Sequence, residues 1–325
     1  MSKNIPNQAD VVDAKISDTD RQQYEQLLLK YYQEDKTKSY WEFSIVPGIF
    51  KQSLPETDAT KFDTIKEHFG IIPNWDDIIK KLNELNNQVN SNEIQYKLMF
   101  LARHGQGYHN VKHNENPQLW DDYWSHLNTD GKIVWGPDPE LTELGIEQAK
   151  DNNIAWNQEI INNINKNKKL IIPTKFFTSP FRRSIDTLIN TWNNIIDLQK
   201  IKPLIQENWR ETIGDHTCDK RSTRSIIIEK YQSLGFIIES DFEEEDIYWK
   251  SDWRESVAEQ AIRQNKGLQQ LFNDNPFDQI VSITSHSGSI RTQLLVLGHR
   301  PFAIGTGGMI PVFVKGVKVA QKLKE

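Results

Sequence analysis

The chain has 325 residues, of which 37% are hydrophobic and 26% charged, with a formal net charge of -6; this composition suits a folded globular protein and excludes wholesale disorder. The acidic balance disfavours nucleic-acid binding, and the single cysteine, Cys218, excludes an intramolecular disulfide and favours a reducing compartment. Because no segment resembles a signal peptide or a membrane helix, we expect a soluble cytoplasmic protein without a membrane partner, and entry into the nucleus and the oligomeric state stay open.

The first 95 residues are predicted to form an extension of a main domain that covers residues 96–325. Residues 1–20 are polar and without periodicity, which is typical of a loose tail. Apolar spacing predicts helices over residues 21–32 and 75–85. The aromatic stretch between them, residues 39–53, predicts a segment packed on something larger. We expect the extension to lie against the main domain, near the mouth of its pocket.

The main domain alternates between predicted strands and helices. Short apolar runs at residues 96–102, within 170–178 and at 279–284 predict buried strands. Thr142 is a predicted helix N-cap, and Ser179 followed by proline is another. The alternation predicts an α/β fold with three layers, in which helices cover both faces of a mostly parallel central sheet.

Polar side chains follow all three predicted strands. They are Arg103 and His104 after the first, Arg183 one helical turn beyond Ser179 after the second, and His286 after the third. Ligands of open α/β sheets bind outside the carboxyl ends of the strands, so we expect these side chains to converge. Arginine forks match phosphate oxygens, and a neutral imidazole can attack phosphorus. The leaving oxygen then needs a proton from a carboxylic acid, for which Glu207 and Glu211 are the candidates.

Four segments in chain order resemble the signatures of the histidine phosphatase superfamily, whose members are phosphoglycerate mutase-like. They are residues 101–110 (LARHGQGYHN), 141–145 (LTELG), 179–187 (SPFRRSIDT) and 285–288 (SHSG). The resemblance covers residues 96–315 and is strongest to a branch with members in fungi and plants. That branch also shows the run at residues 210–221, and its fungal phosphomutase-like members carry a similar long N-terminal extension.

The resemblance implies roles for individual residues. It implies His104 as the phosphorylated nucleophile, with Arg103, Gly105, Asn110, Arg183 and His286 around the phosphoryl group. The acid/base is Glu211 or Glu207: the family's glutamate stands four residues before a glycine, whereas Glu211 stands three before Gly214, and we favour Glu211. No metal or organic cofactor is implied.

Three further features of the sequence are open to a structural or a functional interpretation. His216, Lys220, Arg221 and Arg224 form a basic cluster, which is either a pocket wall for a second anionic group of the substrate, with Arg221 in contact, or a solvated loop. The acidic run at residues 241–246 is interpreted as a solvated loop. His109 and His113 have the spacing of metal ligands on a helix, but the glutamate of a zinc protease motif and an evident third ligand are missing, which disfavours a metal site.

We therefore expect a phosphomonoesterase that hydrolyses a small phosphorylated metabolite. One alternative is a phosphomutase, which uses the same residues but must protect its phosphoenzyme from water. A second is a catalytically silent binding subunit of a larger assembly. The complete set of phosphate-pocket residues disfavours the silent subunit, and the identity of the substrate is not encoded in these patterns.

Overall fold

A seven-stranded sheet forms the centre of the computed structural model, which describes residues 3–34, 39–164 and 171–320. The strands are β1 (Ser39–Ile45), β2 (Ile94–Arg103), β3 (Lys175–Thr178), β4 (Leu204–Ile205), β5 (Ile237–Ile238), β6 (Ile280–Ser285) and β7 (Met309–Ala320). Their spatial order is β1-β7-β2-β6-β3-β4-β5. β7 is antiparallel to both of its neighbours, and the other neighbouring pairs are parallel. The predicted mostly parallel α/β sheet is confirmed.

Helices cover both faces of this sheet. They are α1 (Gln8–Asp13), α2 (Asp18–Glu34), α3 (Trp75–Asn87), α4 (Tyr108–Glu115), α5 (Pro117–Asp122), α6 (Glu143–Ile164), α7 (Arg182–Trp192), α8 (Leu198–Ile201), α9 (Arg224–Tyr231), α10 (Val257–Asp274) and α11 (Ser287–Val296). Across the described ranges, none of these helices combines the length and apolarity needed to cross a membrane.

The sheet has a hydrophobic core on each of its faces, and the alternation of side chains along the central strand β2 explains why. Met99 and Leu101 join the core beneath α2, α10 and α11. Leu98, Phe100 and Ala102 point the other way, into the core beneath α3, α6, α7 and α9. Since successive residues of a strand face opposite sides, a strand buried on both faces must be apolar throughout. Each fully buried Leu or Phe contributes about 1.5–3 kcal/mol to folding.

The N-terminal extension packs on the main domain at three places. Its strand β1 pairs with the outer edge of β7, α2 packs on α10, and α3 packs on β2. The predicted loose tail is wrong for the described residues 3–20, because Asn4 is buried and residues 8–13 form the helix α1, which packs on α11. The Asn4 side chain donates to the Gly307 carbonyl at 3.0 Å, which ties this segment to the domain.

One predicted helix start is confirmed and another is wrong. Thr142 precedes α6, and its Oγ1 accepts from the backbone N–H of Gly145 at 3.1 Å, as an N-cap does. By contrast, α7 begins at Arg182 after the N-cap residue Phe181, two residues later than predicted. Ser179 does not cap this helix because its hydroxyl lies 2.7 Å from Nε2 of His286.

Candidate active site

The carboxyl ends of three neighbouring strands bring two histidines together. β6 lies between β2 and β3, with Arg103 in register with Ser285. The backbone N–H of His104 donates to the Ser285 carbonyl at 3.0 Å, which extends the ladder by one residue. The rings of His104 and His286 consequently lie 4.9 Å apart, centroid to centroid. The sequence prediction of convergence at this sheet edge matches the placement of both residues.

The backbone fixes the tautomer of His104. Its Nδ1 lies 2.6 Å from the Gly105 carbonyl, which can only accept, so Nδ1 carries the hydrogen and Nε2 keeps its lone pair. Burial lowers the pKa of His104 well below its ordinary value, and the charges of Arg183 and Arg103 lower it further. The ring is therefore neutral and has a nucleophilic nitrogen.

Two glycines allow the first two signature segments, residues 101–110 and 141–145, to lie in direct contact. A Cβ on Gly105 would lie 2.2 Å from the carbonyl oxygen of Gly145, and a Cβ on Gly145 would lie 2.2 Å from that of Gln106. The loop after β2 and the first turn of α6 thus touch backbone to backbone, and only glycine permits this approach. The Gly105 N–H also donates to Thr187 Oγ1 at 2.9 Å, which ties the same loop to α7.

Arg183 lies fully buried beneath this loop. Its Nη1 donates to the Cys218 carbonyl at 2.9 Å, and its Nη2 donates to Asp219 Oδ1 at 3.2 Å. The guanidinium carbon lies 4.3 Å from the centroid of the Phe181 ring. Burial raises the pKa of the Cys218 thiol well above its ordinary value, which suits a small protonated core residue rather than a nucleophile.

Four buried side-chain nitrogens around His104 make no hydrogen bond to the protein. They are Nε of Arg103, Nε of Arg183, Nδ1 of His109 and Nδ1 of His286. The His109 ring lies 5.4 Å from that of His104, and both arginines are close enough to lower the His104 pKa. An unsatisfied buried donor costs about 1–3 kcal/mol. Their clustering favours a ligand with several acceptor oxygens, such as a phosphoryl group.

A cleft of about 840 Å³ opens over His104. Its lining includes Arg103, His104, Asn110 and Glu211, so four of the predicted residues meet at one surface. Arg183 and His286 are fully buried and lie behind that surface. Asn110 Oδ1 accepts from the Gly107 N–H at 2.9 Å, which fixes the start of α4 at the cleft.

Glu211 lies in the cleft in a setting that favours its protonated form. Its Oε1 accepts from the Thr212 N–H at 2.9 Å, and its Oε2 accepts from the Gly288 N–H at 3.3 Å. Burial raises the pKa of Glu211 above its ordinary value, and the nearby carboxylates of Asp219 and Asp13 raise it further. A carboxyl group that retains its proton can act as a general acid.

Glu207, the other candidate acid, faces away from this cleft. Its Oε1 accepts from Arg221 Nε at 2.6 Å, and its Oε2 accepts from Arg210 Nη1 at 3.1 Å. Arg210 also donates to both carboxylate oxygens of Asp246, at 2.9 and 2.6 Å. We call these four side chains the arginine network. Both oxygens of Glu207 are engaged there, so the geometry favours Glu211 as the acid.

The predicted contact between Arg221 and the substrate is not supported by its position. Its guanidinium is fully buried in the arginine network and also donates to the backbone carbonyls of Glu243 and Glu245, at 2.8 and 2.9 Å. The acidic run therefore is not simply a solvated loop, because its carbonyls accept hydrogen bonds from Arg221 and the Asp246 side chain is only 1% exposed. Net charge along the chain does not reveal whether a cation faces solvent or a buried carboxylate.

Of the rest of the basic cluster, only one of the described residues fits the interpretation as a pocket wall. His216 lines the cleft, but Lys220 Nζ lies 5.0 Å from the Trp249 ring centroid, and neither Lys220 nor Arg224 is part of the lining. Arg254, which no motif indicated, lies there instead. Its Nη1 is 3.6 Å from Asp219 Oδ2.

Two other cleft residues were not assigned to the pocket from the sequence, although one of them, His109, was considered as a metal ligand. His109 belongs to the signature segment, next to Asn110, and that position was the available signal. Asp10 belongs to the predicted tail, yet its Oδ1 accepts from Arg103 Nη1 at 2.5 Å. It reaches the cleft through α1, which has no buried residue and hence no apolar pattern to reveal it.

Within the described ranges, one group of side chains has the spacing of a metal site: His216, Cys218 and Asp219, whose ligand atoms lie within 4.8 Å of one another. Asp219 is already paired with Arg183, and the raised thiol pKa disfavours the thiolate that metals prefer. Cys218 and Asp219 are better described as the support of Arg183.

Comparison with known proteins identifies the family. The sequence model of the histidine phosphatase superfamily (branch 1) matches residues 99–305, which include His104, Arg183, Glu211 and His286. The chain belongs to this superfamily. Its members are generally phosphatases or mutases.

Relatives in fungi extend the similarity beyond the matched domain. The chain is 37% identical over 293 residues to "Probable phosphoglycerate mutase" of Arthroderma benhamiae, with 84% of each chain covered. It is 36% identical over 281 residues to "Phosphomutase-like protein 3" of Candida albicans, with 86% of this chain and 81% of that one covered. Among solved structures, phosphoserine phosphatase of Entamoeba histolytica matches 67% of this chain and 94% of its own, with 21% identity and a TM-score of 0.37.

Proposed function

We propose that this protein is a phosphomonoesterase that hydrolyses a small phosphorylated metabolite through a phosphohistidine on His104. The observation that carries the proposal is the group of unpartnered buried nitrogens around a neutral His104. A phosphoryl group supplies three acceptor oxygens and negative charge, which Arg103 and Arg183 match.

In the first step, His104 Nε2 attacks phosphorus and the bond from phosphorus to the ester oxygen breaks. Glu211 donates its proton to that oxygen, so the alcohol leaves uncharged. Arg103 and Arg183 offset the charge on the transferring phosphoryl oxygens, together with a hydrogen bond from His286. His104 needs no proton transfer before the attack, because Nδ1–H donates to the Gly105 carbonyl and Nε2 carries no hydrogen.

In the second step, water replaces the alcohol. Glu211, now a carboxylate, takes a proton from water as the oxygen attacks phosphorus. The bond between phosphorus and His104 Nε2 breaks, and inorganic phosphate leaves. One carboxyl group thus acts as acid and then as base, which regenerates the starting enzyme.

Hydrolysis of an aryl phosphate by the purified protein tests the proposal, measured from about pH 4 to about pH 8. We expect His104→Ala to lower turnover by at least about 1,000-fold, because the nucleophile is lost. His126→Ala, which removes an exposed histidine outside the cleft, is the matched control and should retain wild-type turnover. Release of no phosphate by the wild type would contradict the proposal and favour a mutase or a silent subunit.

A phosphomutase is the second candidate, favoured by the names of the two fungal relatives. It would return the phosphoryl group from His104 to the substrate rather than to water. Incubation with 3-phosphoglycerate, followed by phosphorus NMR, separates the two: a mutase yields the isomeric phosphoester, whereas a phosphatase yields inorganic phosphate. A phosphoenzyme that persists in water would also support the mutase.

A further inference from the structure

The two arginines of the candidate site are held in the same way by different parts of the chain. Arg183 donates to the carboxylate of Asp219 and to the carbonyl of Cys218. Arg103 donates through Nη1 to the carboxylate of Asp10 at 2.5 Å and to the carbonyl of Ile304 at 2.7 Å. Each guanidinium thus has one carboxylate and one carbonyl as partners, and in each the Nε remains unpartnered.

The difference between the two lies in where the carboxylate comes from. Asp219 belongs to the matched family domain, whereas Asp10 belongs to α1, more than 80 residues before that domain begins. The Arg103 and Asp10 side chains are only 7% and 11% exposed. A buried guanidinium without a carboxylate would carry an uncompensated charge, so the N-terminal segment supplies a charge that the domain needs.

Local contacts fix Asp10 in this position. Its backbone N–H donates to Asn7 Oδ1 at 3.0 Å, and its Oδ2 accepts from the Asn7 N–H at 2.8 Å, which is a capping box. At the other end of α1, Arg291 Nη1 donates to the Asp13 carbonyl at 2.8 Å. One oxygen of Asp10 therefore caps the helix while the other holds Arg103.

A carboxylate beside a phosphate-binding arginine could either hold it or block it. Asp10 takes only Nη1, which it shares with the Ile304 carbonyl, and leaves Nε without a partner. The Asp219 carboxylate leaves Nε of Arg183 equally free. Asp10 therefore engages one end of the Arg103 guanidinium and leaves its Nε available to an anion. This is expected of a carboxylate that supports the arginine rather than one that competes with the phosphoryl group for it.

We propose that Asp10 is a positioning residue of this active site, which orients Arg103 toward the phosphoryl group so that α1 completes the pocket. This inference rests on the proposed function only in assigning a phosphoryl group to the pocket. Its consequence is that the N-terminal segment takes part in substrate binding and is not merely a decoration of the domain.

Asp10→Asn tests this role because it removes the charge but keeps an oxygen for the helix cap. We expect the Kd for inorganic phosphate, measured by titration calorimetry, to rise about tenfold, as does KM for an aryl phosphate. Because the substitution removes the charged partner of a buried arginine, the melting temperature should fall as well, so both constants are measured well below the melting temperature of the variant. Asp10→Glu keeps the charge and should recover part of the affinity, and Asp18→Asn, an exposed aspartate at the start of α2, is the charge-matched control.

Two results for Asp10→Asn would contradict the positioning role, and two results for the wild type separate that role from the proposed function. Tighter phosphate binding and a lower KM would make Asp10 a blocking carboxylate. A lower melting temperature with unchanged phosphate affinity would make it purely structural. If the wild type binds phosphate but turns over no ester, the proposed function fails while the Kd comparison still tests Asp10. If the wild type binds no phosphate, both proposals fall.

Discussion

Glu207 and Glu211 stand four residues apart, but they lie in opposite electrostatic environments. Glu207 has an arginine on each oxygen and belongs to the arginine network. Glu211 accepts hydrogen bonds from the backbone N–H groups of Thr212 and Gly288, and burial together with nearby carboxylates raises its pKa. The same side chain is thus held as a structural anion in one place and kept ready to carry a proton in the other.

This contrast shows how a short segment can serve both stability and chemistry. Arg263 donates to the backbone carbonyls of Asn208, Arg210 and Glu211, at 2.8 to 2.9 Å, and fixes the segment between the two sites. The arginine network therefore supports the loop from behind while Glu211 faces the cleft. Variants of the two glutamates should consequently fail in different ways.

Glu211→Gln should have the largest effect within this comparison. Losing the general acid should lower kcat by about 100-fold to 10,000-fold. The loss should shrink as the leaving group of the aryl phosphate becomes more acidic, because a good leaving group needs no proton. Thermal unfolding should show no loss of stability at neutral pH, since burial already disfavours the charged form of Glu211. Equal losses for all leaving groups would contradict the role of acid.

Glu207→Gln should act on stability instead. Removing one partner from a buried ion network leaves arginine charges uncompensated, and we expect the free energy of unfolding to fall by about 3 kcal/mol. Urea unfolding followed by tryptophan fluorescence measures this loss. The kcat of the folded fraction should stay close to that of the wild type. A native unfolding midpoint with a kcat as low as that of Glu211→Gln would reassign the acid to Glu207.

The smallest effect concerns the pH profile. The His104 pKa is lowered and the neutral ring is the nucleophile, so kcat/KM should fall as pH drops through that pKa. The Glu211 pKa is raised and its protonated form is the acid, so kcat/KM should fall as pH rises through that pKa. Each limb should have a slope of about tenfold per pH unit. Glu211→Gln should remove only the high-pH limb, and survival of that limb would assign it to another group.

The sheet and its catalytic edge could be predicted from the sequence for a simple physical reason. Strands buried on both faces are short apolar runs, and the polar residues that end them mark the edge where ligands bind. The order of Arg103-His104, Arg183 and His286 along the chain was therefore enough to place them together. β3 lies within the apolar run that predicted it, whereas β1, β4, β5 and β7 were not predicted as strands.

The missed residues share a different cause, since their positions depend on contacts between distant segments. Arg254 lies in the cleft because the loop that carries it packs on Gly214, where a Cβ would lie 2.6 Å from the Arg254 Cα. Arg221 is withdrawn from solvent by Glu207, fourteen residues earlier. Asp10 is held in place by polar contacts of α1, and such contacts produce no hydrophobic periodicity in the sequence. Local patterns cannot report such long-range pairings.

The antiparallel pairing of β1 with β7 has a consequence for the strand edge that the sheet exposes. β7 is 12 residues long, and β1 covers its outer side from residue 314 to residue 320. Without the first 45 residues, that side would present unpaired N–H and C=O groups to other chains, and such exposed strand edges promote aggregation. The N-terminal extension thereby replaces the 12-residue edge of β7 with the shorter, 7-residue edge of β1.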